Sequence, residues 1–275
     1  MKYRLGLSIA DLPFEIVTDH RLVGRFLESY FAAFRSDGSP GFTIIIDSGV
    51  PAPVSGVRSR VVPEIERDGP GGGYLIVNNS SDRVVIGHID DDGGTCRLTG
   101  RACTDTYLLS TAVRVCVQFW LERSNGFFLH AACGSVRGAG VLFTGKSTAG
   151  KSTALRNLHP DTVIAEDAVA VRMNGSGARV YAIPFRGEKS GDIPLHALCF
   201  PRKWKGTPML TREGAATIAA ELTANALFCA PSTETLMADT LATIASFSTS
   251  VPGYDCYFDK ATDLHAVFAA YGILN

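Results

Sequence analysis

The chain has 275 residues, of which 46% are apolar and 19% charged, with a formal net charge of −1. Such a length supports one large domain or two modest ones with ample core. The charge balance excludes the basic field expected of a nucleic-acid or anionic-membrane binder, and no apolar run reaches the length of a membrane span.

Asp11, Glu15 and Asp19 interrupt any signal-peptide pattern near the N-terminus. The seven cysteines, at 96, 103, 116, 133, 199, 229 and 256, form no C-x-x-C pair. Neither a zinc site nor a disulfide framework is indicated. The expectation is a cytoplasmic protein with reduced, buried thiols.

Residues 3–9 predict a strand. His20–Phe34 predicts a helix with Leu22, Val23, Phe26, Leu27, Tyr30, Phe31 and Phe34 on one face. Phe42–Ile46 reads as a strand, and the Gly/Pro/Ser-rich stretch 48–56 and the run Gly69–Gly73 as loops. Tyr74–Val77 and Arg83–Gly87 form a hairpin around Asn78–Asp82. The acidic run Asp90–Gly94 lacks the spacing and closing glutamate of a calcium loop, so it reads as a solvated turn. No catalytic constellation precedes residue 100. Residues 1–100 are therefore expected to form an α+β region for packing, self-association or partner recognition, followed by a second domain over 101–275.

Thr104–Arg123 has helical spacing, with Leu108, Ala112, Val115, Cys116, Phe119 and Trp120 as its buried stripe. Phe127–Cys133 reads as a strand. The strand Val141–Thr144 then enters Gly145-Lys146-Ser147-Thr148-Ala149-Gly150-Lys151-Ser152-Thr153, which fits G-x-x-x-x-G-K-[ST]. Its glycines let the backbone curl so that successive N–H groups face inward, where the next helix presents its positive end. Lys151 would reach terminal phosphates, and the Ser152 hydroxyl would hold a magnesium ion. The motif predicts binding of a nucleoside triphosphate or a similar polyphosphate. The helix that follows ends near Pro160.

Thr162–Ala165 reads as a buried strand ending in Glu166-Asp167. Paired carboxylates at a strand end soon after a phosphate loop suit magnesium binding and general-base work. A hairpin over 168–183 leads to a polar loop, 184–191, in which Arg186 and Lys189 could clamp phosphate and Glu188 could reach the metal. Leu195–Phe200 and Tyr254–Phe258 are expected strands; Thr211–Leu222, Thr233–Phe247 and Leu264–Tyr271 are expected helices. Arg202, Lys203 and Lys205 read as a solvated basic edge.

Four segments recur in this order in one family: Leu129-His130-Ala131-Ala132, the phosphate loop, Ala165-Glu166-Asp167-Ala168-Val169, and Pro184-Phe185-Arg186-Gly187. Over roughly 104–275 the chain resembles the HPr kinase/phosphorylase-like proteins. More particularly, it is similar to the shorter relatives that accompany peptide-modification clusters, including kinases of lasso-peptide precursors. The resemblance implies an α/β fold: a P-loop kinase-like β-sheet core flanked by helices, related to phosphoenolpyruvate carboxykinase and here preceded by the smaller α+β region. It implies magnesium-dependent transfer of a phosphoryl group from ATP to a serine of a peptide or small protein. It makes His130 the family's active-site histidine and Lys151 and Ser152 the phosphate and metal ligands. Glu166 and Asp167 stand where the family carries two aspartates, the first of which is its general base; either carboxylate would take the acceptor's proton while the other helps hold the metal. Arg186-Gly187 match a family loop. The metal-binding glutamate of that loop is Pro184 here, with Glu188 as a substitute. Neither the C-terminal dephosphorylation loop nor the family's N-terminal domain is matched, so phosphorylase activity and HPr itself are not expected. The rival expectation is a non-catalytic nucleotide-binding module that regulates a peptide or delivers it to another enzyme.

Overall fold

The computed structural model describes residues 2–47, 64–67, 72–78, 83–90, 94–99, 106–175, 177–185, 190–228 and 234–274. The expected loop 48–56, most of the turns at 78–82 and 90–94, and Arg186, Gly187, Glu188 and Lys189 lie outside the described residues. The chain divides into two compact units: residues 1–121 with 228–237, and residues 122–227 with 238–275.

In the first unit, β1 (Tyr3–Ile9) and β2 (Leu12–Thr18) pair as a hairpin. Its two-residue turn, Ala10-Asp11, holds both residues at positive φ, 54° and 57°. Such a turn normally advertises itself by Asn or Gly. Neither is present, and β2 went unpredicted. Next come α1 (Arg21–Tyr30), β3 (Phe42–Ile46), β4 (Glu64–Arg67), β5 (Gly72–Asn78), β6 (Arg83–Asp90) and β7 (Thr95–Leu98). The seven-stranded sheet has the order β1-β2-β3-β7-β6-β5-β4, with β2, β3 and β7 mutually parallel. On α1 the buried line is Val23, Leu27 and Phe31; Leu22, expected on that face, is 69% exposed because it lies one helical step away.

Helix α2 (Thr106–Glu122) packs on this sheet. Trp120 stacks on Phe42 with ring centroids 5.1 Å apart, and Phe42 stacks on Phe14 at 4.8 Å. The Sγ atoms of Cys116 and Cys96 are 2.9 Å apart. These contacts tie α2 to the first compact unit, which runs to Leu121 before the segment 228–237.

The second unit carries β8 (Gly126–Leu129), β9 (Ala131–Val136), β10 (Ala139–Thr144), α3 (Lys151–Leu158), β11 (Thr162–Ala165), β12 (Val169–Asn174) and β13 (Gly177–Tyr181). It continues with β14 (Asp192–Lys203), β15 (Met209–Glu213), α4 (Ala215–Asn225), β16 (Ala226–Leu227), α5 (Glu234–Ser250, which belongs to this unit from Ala238 on), β17 (Gly253–Phe258) and α6 (Leu264–Ala270). The long β14 serves two wings. Its first residues pair with β13, Leu195–Cys199 run parallel to β10, and Leu198–Lys203 run parallel to β17. One wing reads β11-β9-β10-β14-β17-β15 and the other β14-β13-β12-β8-β16. Both sheets of the protein are thus mixed, and helices flank them: an α/β architecture.

Three expectations are corrected in this unit. The single strand over 127–133 is two strands broken at His130, because β8 pairs with β12 while β9 pairs with β10. The helix over 211–222 begins only at Ala215; Thr211–Glu213 belong to β15, which finds its partner in β17. β11 is not buried: it is an edge strand with one neighbour, and Val163 is exposed.

The core places β10. Val141 and Phe143 pack with Ala154, Leu155 and Leu158 of α3, and with Leu264 and Phe268 of α6. The Phe143 and Phe268 rings meet at 6.2 Å. Each fully buried phenylalanine contributes on the order of 2–3 kcal/mol. The strand that feeds the phosphate loop is therefore central and rigid.

Candidate phosphate-loop site

The segment between β10 and α3 has the backbone that its composition requires. Gly145 and Gly150 adopt φ of 151° and 107°, and Thr148 adopts 67°. A Cβ on Gly145 would lie 3.3 Å from the Ala149 Cβ, inside the curl of the loop. Ala149 N donates to Lys146 O at 3.1 Å, and Ala154 N donates back to Gly150 O at 2.8 Å, which starts α3 directly at Lys151. Lys146, Ser147, Thr148 and Ser152 are exposed, while Ala149, Gly150 and Thr153 are partly covered. Lys151 is buried and folds over the loop: its Nζ donates to Gly145 O at 2.7 Å and to Lys146 O at 3.2 Å. Burial lowers its pKa, and the charge of nearby Asp167 partly opposes that shift.

His130 and Asp167 reach the loop because two chain crossovers coincide. The chain passes from one wing to the other at His130, between β8 and β9, and again at 166–168, between β11 and β12. Thr144, the last residue of β10, pairs with Ala131, which sets His130 beside the loop's first glycine. Asn225 O accepts from His130 N at 3.0 Å, and Thr144 Oγ1 donates to His130 O at 3.0 Å. Ala131 N donates to Asp167 O at 3.2 Å. His130 Nδ1 lies 2.7 Å from Asp167 O and 3.2 Å from Asp167 Oδ1. Facing two oxygens, Nδ1 carries the hydrogen, and in the neutral ring Nε2 is left as an acceptor. The ring therefore fixes the orientation of the Asp167 carboxylate, which stays accessible to solvent.

The structure thus brings Lys151, Asp167 and His130 together at the loop. Glu166 is exposed, and its side chain makes no hydrogen bond or ion pair with the described residues. Among the described residues no group of three or more His, Cys, Asp and Glu side chains could hold a metal ion unaided. Ser152 and Asp167 do supply the hard oxygen donors that magnesium takes alongside phosphate oxygens, so the loop and its neighbours fit the ion that the motif implies.

Sequence reasoning missed a second group at the same loop. β14 extends three residues beyond its expected end at Phe200, and Arg202 and Lys203 lie at its carboxyl end, beside β10. Lys203 and Lys205 are exposed, as a solvated edge would have them, but Arg202 is half-buried. Arg202 is bound by Asp255 and Glu221, and with Lys203 it lines a cavity of about 530 Å³ that also touches Lys146–Ala149. Desolvation disfavours the charged guanidinium, but the hydrogen bonds to Asp255 and Glu221 outweigh it and raise the pKa. The available signal was positional: ligands of open α/β sheets gather at the carboxyl ends of parallel strands.

No family model matches the chain, and no curated protein gives a significant match. No helix among the described residues is long and apolar enough to cross a membrane.

Proposed function

We propose that the protein is an ATP-dependent kinase that transfers the γ-phosphoryl group to a serine hydroxyl of a peptide or small protein. The observation that carries this reading is the convergence of a buried loop lysine, Lys151, with an accessible carboxylate, Asp167, which His130 holds in place. The order of motifs that resembles HPr kinase-like proteins supports the same chemistry.

The loop amides and Lys151 bind and orient the β- and γ-phosphates. Magnesium, held by the Ser152 hydroxyl, would offset charge on the phosphate oxygens. Asp167 takes the proton of the acceptor hydroxyl as the serine oxygen bonds to the γ-phosphorus. The bond from that phosphorus to the bridging oxygen breaks, and ADP leaves with the electron pair. His130 keeps the carboxylate aimed by donating from Nδ1 to Oδ1 and to the Asp167 carbonyl. Such transfer rests on positioning and electrostatics, so few side chains suffice.

The test is ADP release from ATP·Mg with and without a panel of serine-bearing peptides, followed by mass analysis of the peptides. A gain of one phosphoryl group on a peptide, lost in Asp167→Asn, is the expected result. Tight nucleotide binding without transfer to any acceptor would favour the rival, a module that only binds nucleotide; the Pro184 departure from the family loop favours the same rival.

A further inference from the structure

The loop has two flanks. His130 and Asp167 stand on the β9 side of β10, and the cavity stands on the β14 side. The cavity is lined by Lys146, Ser147 and Thr148 from the loop, by Arg202 and Lys203 from β14, and by Glu221 from α4. Its volume, about 530 Å³, falls within the roughly 300–1,000 Å³ of small-molecule sites.

Arg202 is fixed before any ligand arrives. Its Nε donates to Asp255 Oδ1 at 2.9 Å and its Nη2 to Glu221 Oε1 at 2.6 Å, with Nη2 also 2.9 Å from Asp255 Oδ1. Nη1 makes no hydrogen bond with the described residues, and neither does Glu221 Oε2. A guanidinium locked by two carboxylates offers its remaining donors with little further loss of side-chain freedom. Lys203 is exposed and has no ion pair among the described residues.

In-line phosphoryl transfer sets the attacking and leaving oxygens on opposite sides of the phosphorus. The proton acceptor, Asp167, marks the attacking side. The leaving ADP must extend the other way, toward β14. We infer that the cavity at the carboxyl end of β14 receives the α-phosphate and nucleoside end of the nucleotide. Arg202 Nη1 donates to the α-phosphate, Lys203 adds charge there, and Glu221 Oε2 accepts from a ribose hydroxyl. The inference rests on the kinase reading of the loop. It adds a second set of determinants, made of residues outside the phosphate-loop motif.

The experiment compares binding of ATP, ADP and inorganic pyrophosphate, each with magnesium, to the full chain and to Arg202→Met, Glu221→Gln and Lys203→Ala. Lys203→Ala, at an exposed position, keeps the test open should Arg202→Met fail to fold. The expected result is about ten-fold weaker ATP and ADP binding in Arg202→Met, in keeping with the loss of a hydrogen bond to a charged group. Smaller losses follow in the other two variants, and pyrophosphate, which reaches only the β- and γ-positions, stays within about two-fold of wild type. Equal weakening of pyrophosphate would overturn the inference. So would unchanged ATP binding with a raised KM for an acidic acceptor, which would assign the cavity to the acceptor. Should the wild-type chain bind none of the three ligands, the loop reading itself falls, an outcome distinct from a failure of the β14 assignment alone.

Discussion

The two flanks of the phosphate loop are built in opposite ways. On the β9 side, Asp167 and His130 hang from chain crossovers, are accessible, and meet through one ring nitrogen. On the β14 side, Arg202 projects from a continuous strand and is gripped by carboxylates from α4 and β17. A group that must exchange a proton needs accessibility and adjustable contacts. One that must present a fixed charge needs its rotamer locked. The contrast suggests a division of labour, with chemistry on one side of β10 and holding on the other.

The largest effect tests what the flanks share. Lys151→Ala should lower phosphoryl transfer below detection while circular dichroism and the melting transition stay near wild type. Transfer at the wild-type rate would end the role assigned to Lys151. Asp167→Asn follows, with an expected loss of about 10²- to 10⁴-fold in kcat, the usual span for a general base, and little change in nucleotide affinity. If nucleotide affinity falls instead and kcat holds, the carboxylate belongs to the binding flank and the division fails.

A structural substitution probes the seam between the flanks. A Cβ on Gly140 would lie 2.4 Å from Pro194 O, against the strand to which β10 pairs. Gly140→Ala should cost about 1–3 kcal/mol by overpacking, read from denaturant unfolding. An unchanged midpoint would show that β10 and β14 can part without cost.

The smallest expected effect is a pH shift. Burial lowers the Lys151 pKa, so its positive charge disappears at a lower pH than that of an ordinary lysine. Nucleotide affinity should therefore decline on the alkaline side before an exposed lysine would titrate. Asp167 opposes the lowering, so in Asp167→Asn the alkaline decline should move to still lower pH. A shift in the other direction would show that the two groups do not sense one another.

How much of this was legible depends on the reach of each interaction. The hairpin β12–β13 and helices α3, α5 and α6 follow local periodicity and turn chemistry and were predicted nearly to their ends. β4, with the sequence Glu-Ile-Glu-Arg, looks like loop by composition and is a strand only because β5 pairs with it. β15 likewise exists because β17 lies beside it. His130 and Asp167 were identified singly. That one orients the other depends on the break between β8 and β9, and nothing in the residues 127–133 marks a break, since all but His130 are apolar or small.

By itself, the sequence determined the phosphate loop. Its glycines, lysine and hydroxyls lie within nine consecutive residues, and the positive φ of Gly145 and Gly150 follows from residue type. Only the tertiary structure decided what stands on either side of that loop. The His130–Asp167 pair spans 37 residues, and the Arg202–Asp255 pair 53. Contacts of that reach are set by which strands lie side by side in the sheet.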